Sequence, residues 1–422
     1  MKKVLFLLVF SALCGGLSSA AEPLGLERAI LRVAENHPAL SVAEAEVLAS
    51  RAEALQAGLR PNPILSAELE NATGSGAFSG VDSAEYTFSI SQTIEMGGKR
   101  SKRKEAALRS TEVAEWNLEG RRRALERITI RAFYSTLAAE ARVSLSAQLV
   151  EMAQTVLAKA EQRVEAGRAH ALEATKATLE LADAELDLEN SKLALESAKT
   201  LLASLWGGTA QEVGLLAGDL EQIPEPEPLA GLVGRLTQHP DALAAEAQIR
   251  QQQANVALEN ARRIPSVDLG AGVRLIEESG DQAFVFGLSI PLAFGDRNQG
   301  NREAARLRTL QAEDQYNAVR LALTQELVET SRAVKTAYAQ AISFREKQLP
   351  SARLAFEQAS DGYSKGLFGS LDLLDAMRGL FGQEIRYINA LLACHQAQAE
   401  LKSLTASGSK NESETKTIEG EK

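Results

Sequence analysis

Cysteine, aromatic residues and long apolar runs are all scarce in this chain, and each scarcity removes a class of protein. Of the two cysteines, Cys14 lies in a segment expected to be removed, so Cys394 would stand alone and no intrachain disulfide can form. Aromatics make up 5% of the 422 residues, while Ala, Leu and Glu dominate. That bias points away from a compact globule and toward long helices or coiled coils. An excess of positive charge is absent: the formal balance is −10, which argues against a nucleic-acid partner. Beyond the N-terminal segment no stretch is long and apolar enough for a transmembrane helix. The four histidines, His37, His170, His239 and His395, are scattered, and none has a metal-ligand spacing with Cys or Glu. No catalytic constellation stands out, so neither an enzyme nor a cofactor is expected. His37 and His239 each precede a proline, which suits a structural role beside a helix break. The run Arg121-Arg122-Arg123 reads as a solvated helix face.

What is present starts with the N-terminus. Lys2 and Lys3 precede an apolar run from Val4 to about Leu17, followed by Ser18-Ser19-Ala20-Ala21. A charged start, an apolar centre and a small-residue end are the marks of a cleaved signal peptide. Leu13 is too bulky before Cys14 for a lipoprotein cleavage site. An exported chain with no membrane helix is periplasmic, secreted, or held in the outer membrane as strands.

The rest of the chain is written twice, at an offset near 200 residues. His37-Pro38 returns as His239-Pro240, and Pro63 returns as Pro265. Met96-Gly97-Gly98-Lys99 is matched by Phe294-Gly295-Asp296-Arg297, and Val164-Glu165-Ala166-Gly167 by Tyr363-Ser364-Lys365-Gly366. These matches divide the chain into a leader at 1–21, a first repeat at 22–206 and a Pro-rich linker at 207–228. A second repeat at 229–405 and a disordered tail at 406–422 follow.

Each repeat holds two stretches of period two, predicted as strands near 63–71 and 84–94, then 265–276 and 282–292. Leu65, Ala67 and Leu69 alternate with polar residues, as do Tyr86, Phe88 and Ile90. Short loops make each pair a β-hairpin. Strands of this length with one apolar face suit a tilted membrane crossing, although a half-buried sheet in a soluble protein would show the same pattern. The basic cluster Lys99, Arg100, Lys102, Arg103 and Lys104 after the second strand suits either lipid headgroups or a solvated helix start.

Everything else reads as helix. From about Ser101 to Val164 the one glycine is Gly120 and proline is absent. The next predicted helix, about Leu172 to Leu205, carries two seven-residue series: Leu172, Leu179, Leu186 and Leu193, and Leu181, Leu188, Leu195 and Leu202. Offset by two positions, they lie about 200° apart around the helix. One seam suffices for a two-helix coil; two seams suit a helix in a wall with a neighbour on each side. The second repeat shows the same doubling, with Leu371, Ile385 and Leu392 against Leu380, Tyr387, Cys394 and Leu401. Pro350 should kink or interrupt the preceding helix. Four strands cannot close a membrane barrel, and an open edge in lipid leaves backbone groups unpaired. Two copies would give eight strands and a filled interior, whereas three would give twelve and a lumen. A trimer is therefore expected, mainly α with membrane β.

Two segments resemble the TolC family of outer-membrane efflux channels. Ser89 to Arg100 is similar to the strand-to-helix junction of its heavy-metal, CzcC-like and CusC-like, branch. Leu349-Pro350, Tyr363-Ser364-Lys365-Gly366 and Leu371-Asp372-Leu373-Leu374-Asp375-Ala376 resemble the family's second helical-hairpin tip. The resemblance implies a homotrimer in outer-membrane lipid, with a twelve-stranded barrel and a periplasmic helical barrel. It implies docking on a periplasmic adaptor and an inner-membrane pump of the resistance-nodulation-division type. By the same likeness Asp372 and Asp375 map to a periplasmic gate; a solvated acidic pair is the plain alternative. Glu173, Gly167, Tyr363 and Gly366 map to the tips that meet the adaptor. Phe368 stands where the family archetype has an arginine that helps lock the closed tip, which puts that lock in doubt here. The implied function is a passive exit duct for heavy-metal cations. A duct for drugs or secreted proteins, or a periplasmic coiled-coil adaptor, remains open on the sequence.

Overall fold

The computed structural model describes residues 23–406, so the leader at 1–21 and tail residues 407–422 lie outside it. The first repeat runs β1 (Leu24–Gly25), α1 (Leu26–Asn36), α2 (Pro38–Ala57), β2 (Ile64–Glu70), β3 (Glu85–Ile94), α3 (Lys99–Glu165) and α4 (Ala171–Ser204). The linker adds α5 (Ala210–Val213) and β4 (Leu216–Ala217). The second repeat runs α6 (Leu229–Val233), α7 (Pro240–Arg262), β5 (Val267–Ile276), β6 (Asp281–Ser289), α8 (Gln299–Ser343), α9 (Leu349–Ser364) and α10 (Ser370–Thr405).

Local chemistry explains the boundaries. His37 and His239 cap α2 and α7: each Nδ1 accepts the backbone N–H two residues on, from Ala39 at 3.1 Å and Asp241 at 3.2 Å, with proline at the first helical position. His170 caps α4 in the same way, accepting from the N–H of Leu172 at 3.2 Å. Without proline to stop it, α3 continues for 67 residues, about 100 Å. Pro350 does not end its helix. The ladder loosens into a π-helical turn at Phe344–Gln348 and resumes as α9, the usual way a helix absorbs a proline without breaking.

The four longer strands form one antiparallel sheet in the order β2-β3-β5-β6. Glu85 to Ile94 pairs with Ile276 to Val267 without a bulge, joining the two hairpins. Gly272 sits where the central strands approach: a Cβ there would lie 2.5 Å from the carbonyl oxygen of Phe88. One face presents Leu65, Leu69, Phe88, Ile90, Phe284, Phe286 and Leu288, all exposed. The other carries Ser, Thr, Glu68, Glu70, Glu85, Asp268 and Arg274. Arg274 bridges three strands, donating to Glu70 at 2.8 Å, Glu85 at 2.7 Å and Thr87 at 3.0 Å. An apolar face that no described residue covers, above a polar one, is the inverse of a soluble sheet and suits lipid outside and water within.

The helices repeat the order of the strands in two tiers. Beside the sheet the order is α2-α3-α7-α8; toward the hairpin tips it is α4-α3-α10, then α8 and α9. Thus α3 and α8 pass through both tiers. Between the tiers, α1 and α5 pack on Phe133, Leu202 and Trp206, while α6 packs on Leu323, Leu327 and Leu401. Here His395 is buried, stacked 3.8 Å from the Tyr134 ring and bonded through Nε2 to the Leu220 carbonyl at 2.8 Å, which straps the linker to α10.

One sequence expectation fails in this region. Arg123 is buried rather than solvated, and its guanidinium donates to the Ala406 carbonyl at 2.7 Å. A cation there satisfies a free carbonyl at the C-terminus of α10. The rest of the run behaves differently, with Arg122 paired at the surface to Glu44 at 2.9 Å.

Candidate functional site at the helical tips

Both helical hairpins turn by the same device. Gly167 and Gly366 adopt φ of +69° and +78°, a left-handed conformation costly for any residue with a Cβ. Around the first, the N–H of Gly167 bonds to the Val164 carbonyl and that of Arg168 to Arg163. Around the second, Gly366 bonds to Tyr363 and Leu367 to Gly362. These paired bonds form a Schellman motif at each tip.

The fold brings the two tips together, although 200 positions separate their residues. Tyr363 is 1% exposed, and its hydroxyl donates to Glu173 Oε2 at 3.2 Å. Arg163 from the first tip donates to the Tyr363 carbonyl at 2.7 Å, with its guanidinium 4.3 Å from the ring centroid. Burial, then the nearby Glu173 charge, push the phenol above its ordinary range. Further in, the Arg378 guanidinium forks onto Glu180, which is 7% exposed, with Nε 3.0 Å from Oε1. The hydrogen bond to Glu180 is the main cause that raises Arg378, and the charges of Asp183 and Asp375 add to it. Ala160, Ala177, Leu373, Leu374 and Met377 form the apolar floor.

Asp372 and Asp375 are exposed on the first turns of α10. Asp372 also does local work: its Oδ2 accepts the N–H of Gly369 at 3.0 Å, holding the start of the helix. Sequence reasoning missed Arg163, Glu180 and Arg378, whose importance lies in partners from the other repeat. It also missed Gly362. A Cβ on Gly362 would come 2.2 Å from the Phe368 ring, so this tip is closed over by an aromatic ring where the archetype has a cation.

The basic cluster divides: Arg100 and Lys104 are exposed and Lys102 pairs with Glu105 at the surface, a solvated helix start, while Lys99 and Arg103 reach back to the sheet junction. Lys99 bonds to Ser266 at 2.8 Å. Arg103 pairs with Glu95 at 2.6 Å and donates to the carbonyls of Ala57 and Leu59 at the end of α2. These side chains brace the junction between sheet and helices.

The chain matches the family described as Outer membrane efflux protein over residues 29–208 and again over 234–407. The chain belongs to the outer membrane efflux protein family. The match thus falls in two segments, one in each half of the chain. Among its relatives is the cobalt-zinc-cadmium resistance protein CzcC of Cupriavidus metallidurans, 34% identical over 378 residues, 90% of this chain and 89% of that one. The nickel and cobalt resistance protein CnrC of the same organism is 32% identical over 285 residues, 67% of each. A solved structure of CusC superposes with a TM-score of 0.77 at 19% identity, covering 91% of this chain and 92% of that one, which shows the shared fold. As a family member the protein is an outer-membrane efflux channel.

Proposed function

We propose that three copies close head to tail into one channel, with twelve strands in the outer membrane and a helical tube in the periplasm. On this reading residues 1–21 are removed on export. The edge formed by α2, α4 and β2 of one copy meets the edge formed by α8, α9 and β6 of the next. The observation that carries the reading is that these edges are unfinished in all three layers. On α4, the seam Leu172, Leu179, Leu186 and Leu193 is more than half exposed at every position, while Leu202 of the second seam is buried against the chain's own helices. On the opposite edge Leu307, Leu310, Leu321 and Leu354 are exposed. In the sheet, β2 and β6 each lack a partner on one side among the described residues. Native mass measurement in detergent should give three chains; a stable monomer removes the proposal.

The duct would carry heavy-metal cations, by analogy with CzcC and CnrC, after an inner-membrane pump and a periplasmic adaptor deliver them. The adaptor would meet the tips at Gly167, Glu173, Tyr363 and Gly366. Asp372 and Asp375 would then form two rings of three like charges at the narrow end, a common arrangement for selecting cations. Replacing both with Ala should lower cation selectivity in reconstituted channels. Unaltered reversal potentials in the double variant would rule out the gate assignment.

A further inference from the structure

The apolar alternation of the last strand outruns its hydrogen bonds. Pairing between β5 and β6 stops at Asp268 with Ser289. Yet Ile290, Leu292 and Phe294 continue the series begun at Phe284, with Leu292 71% and Phe294 80% exposed. Among the described residues this five-residue extension pairs with no strand, its one backbone bond being local, from the Phe294 N–H to the Leu292 carbonyl at 3.0 Å; its lipid-type alternation calls for a strand outside the chain.

The internal repeat says where that partner pairs. Gly98 and Asn298 are equivalent: both cap a long helix in the left-handed conformation, and both accept the N–H four residues on, from Lys102 and Arg302. On the preceding strands Pro63 corresponds to Pro265, an offset of 202 rather than 200. These two offsets can be checked inside one chain. They turn the pairing of Ile64 with Ser91 in the first hairpin into Ser266 with Pro291, which continues the observed ladder of Asp268 with Ser289. The same offsets can then be applied to the pairing that joins the hairpins, Ile94 with Val267.

Resting on the proposed closure of several copies, we infer that residues 289–294 pair antiparallel with β2 of the next copy, with Phe294 opposite the partner's Leu65 and Ser289 opposite the partner's Glu70. Two features support this register independently of the repeat. It sets Phe294, Leu292 and Ile290 beside the partner's Leu65, Ala67 and Leu69, lipid face to lipid face, and a one-residue slip would turn one set inward. It also ends at Glu70, where β2 itself ends and Asn71 turns to φ +56°. The seam is therefore six pairs long, against ten for the joint between β3 and β5 within a chain. It lies at the end of the sheet nearer the helices.

Disulfide trapping in the full chain tests the register. Cys394 is buried, with its thiol pushed up to about 11, so it does not compete. The pair A293C with S66C, and independently P291C with E68C, should give covalent dimers and trimers on oxidation. The pair A293C with E68C is displaced by two residues, about 7 Å. It should cross-link at least about tenfold less, because a disulfide needs Cβ atoms about 4 Å apart. Stronger trapping by the displaced pair, in a protein that native mass shows to be trimeric, overturns the register and leaves the closure standing. A monomer by native mass overturns the closure itself.

Discussion

The sheet and the helical tips solve opposite problems. In the sheet, apolar side chains lie on one face and polar ones on the other, and both edges are open among the described residues, so on the proposed closure the region is complete only inside a membrane and beside other copies. At the tips, polar groups from the two repeats close on one another within a single chain: Tyr363 on Glu173, Arg163 on Tyr363, Arg378 on Glu180. The difference teaches where this chain can move. A hydrogen-bonded sheet in lipid has no cheap alternative state, since every broken backbone bond stays unpaired. At the tips each contact is a single side-chain pair, so one can open without unpairing the backbone, at the cost of leaving a buried group such as Glu180 without its partner.

The sharpest way to break this contrast is to damage the sheet. Gly272→Val forces a side chain against the Phe88 carbonyl and should prevent heat-resistant oligomers from forming, as read on unheated gels; normal oligomers would show that the central ladder tolerates a side chain there. A tip variant should leave the oligomer intact. Arg378→Ala strands the Glu180 carboxylate and should cost about 1–3 kcal/mol in chemical denaturation, the range for leaving a buried polar group unpaired, while raising single-channel conductance. Tyr363→Phe removes one hydroxyl and should do the same more weakly, by about 0.5–1.5 kcal/mol. Equal loss of oligomer in either tip variant would erase the distinction between the two regions.

The waist between them offers the smallest and most graded effect. Burial pushes the His395 imidazole below its ordinary value, and burial does the same at His239. Between the folded and unfolded values the folded chain holds fewer protons than the unfolded one, so stability rises with pH. It should be full above about pH 6.5, the unperturbed imidazole value, and decline as pH falls through the lowered folded value. Melting curves at descending pH should show this. His395→Gln, which can still donate to the Leu220 carbonyl, should flatten the decline without removing the part due to His239.

Much of this was legible because it is local. The strands showed in Leu65-Ala67-Leu69 and Phe284-Phe286-Leu288, since side chains alternate on a pleated backbone. Gly167 and Gly366 marked the turns, since few other residues tolerate a left-handed φ. The two seams on α4 announced a second neighbour, and the structure leaves one of them uncovered. Arg123 was misread because its partner, the Ala406 carbonyl, lies 283 residues away. Gly362 gave no signal because the reason for it is a ring folded back from Phe368. Lys99 and Arg103 in the basic cluster were ambiguous for a similar cause, as their acceptors include Ser266 just before β5 and the carbonyls of Ala57 and Leu59 around the end of α2.

By itself, then, the sequence determined the elements and their duplication, because periodicity and backbone conformation are properties of short segments. Only the tertiary structure decided which side chains of one repeat hold those of the other, which edges remain open, and that an aromatic ring closes the second tip. The first two depend on atoms far apart in the chain arriving within a few ångströms of each other, and the third on a ring folding back across its own turn; no periodic pattern encodes either distance.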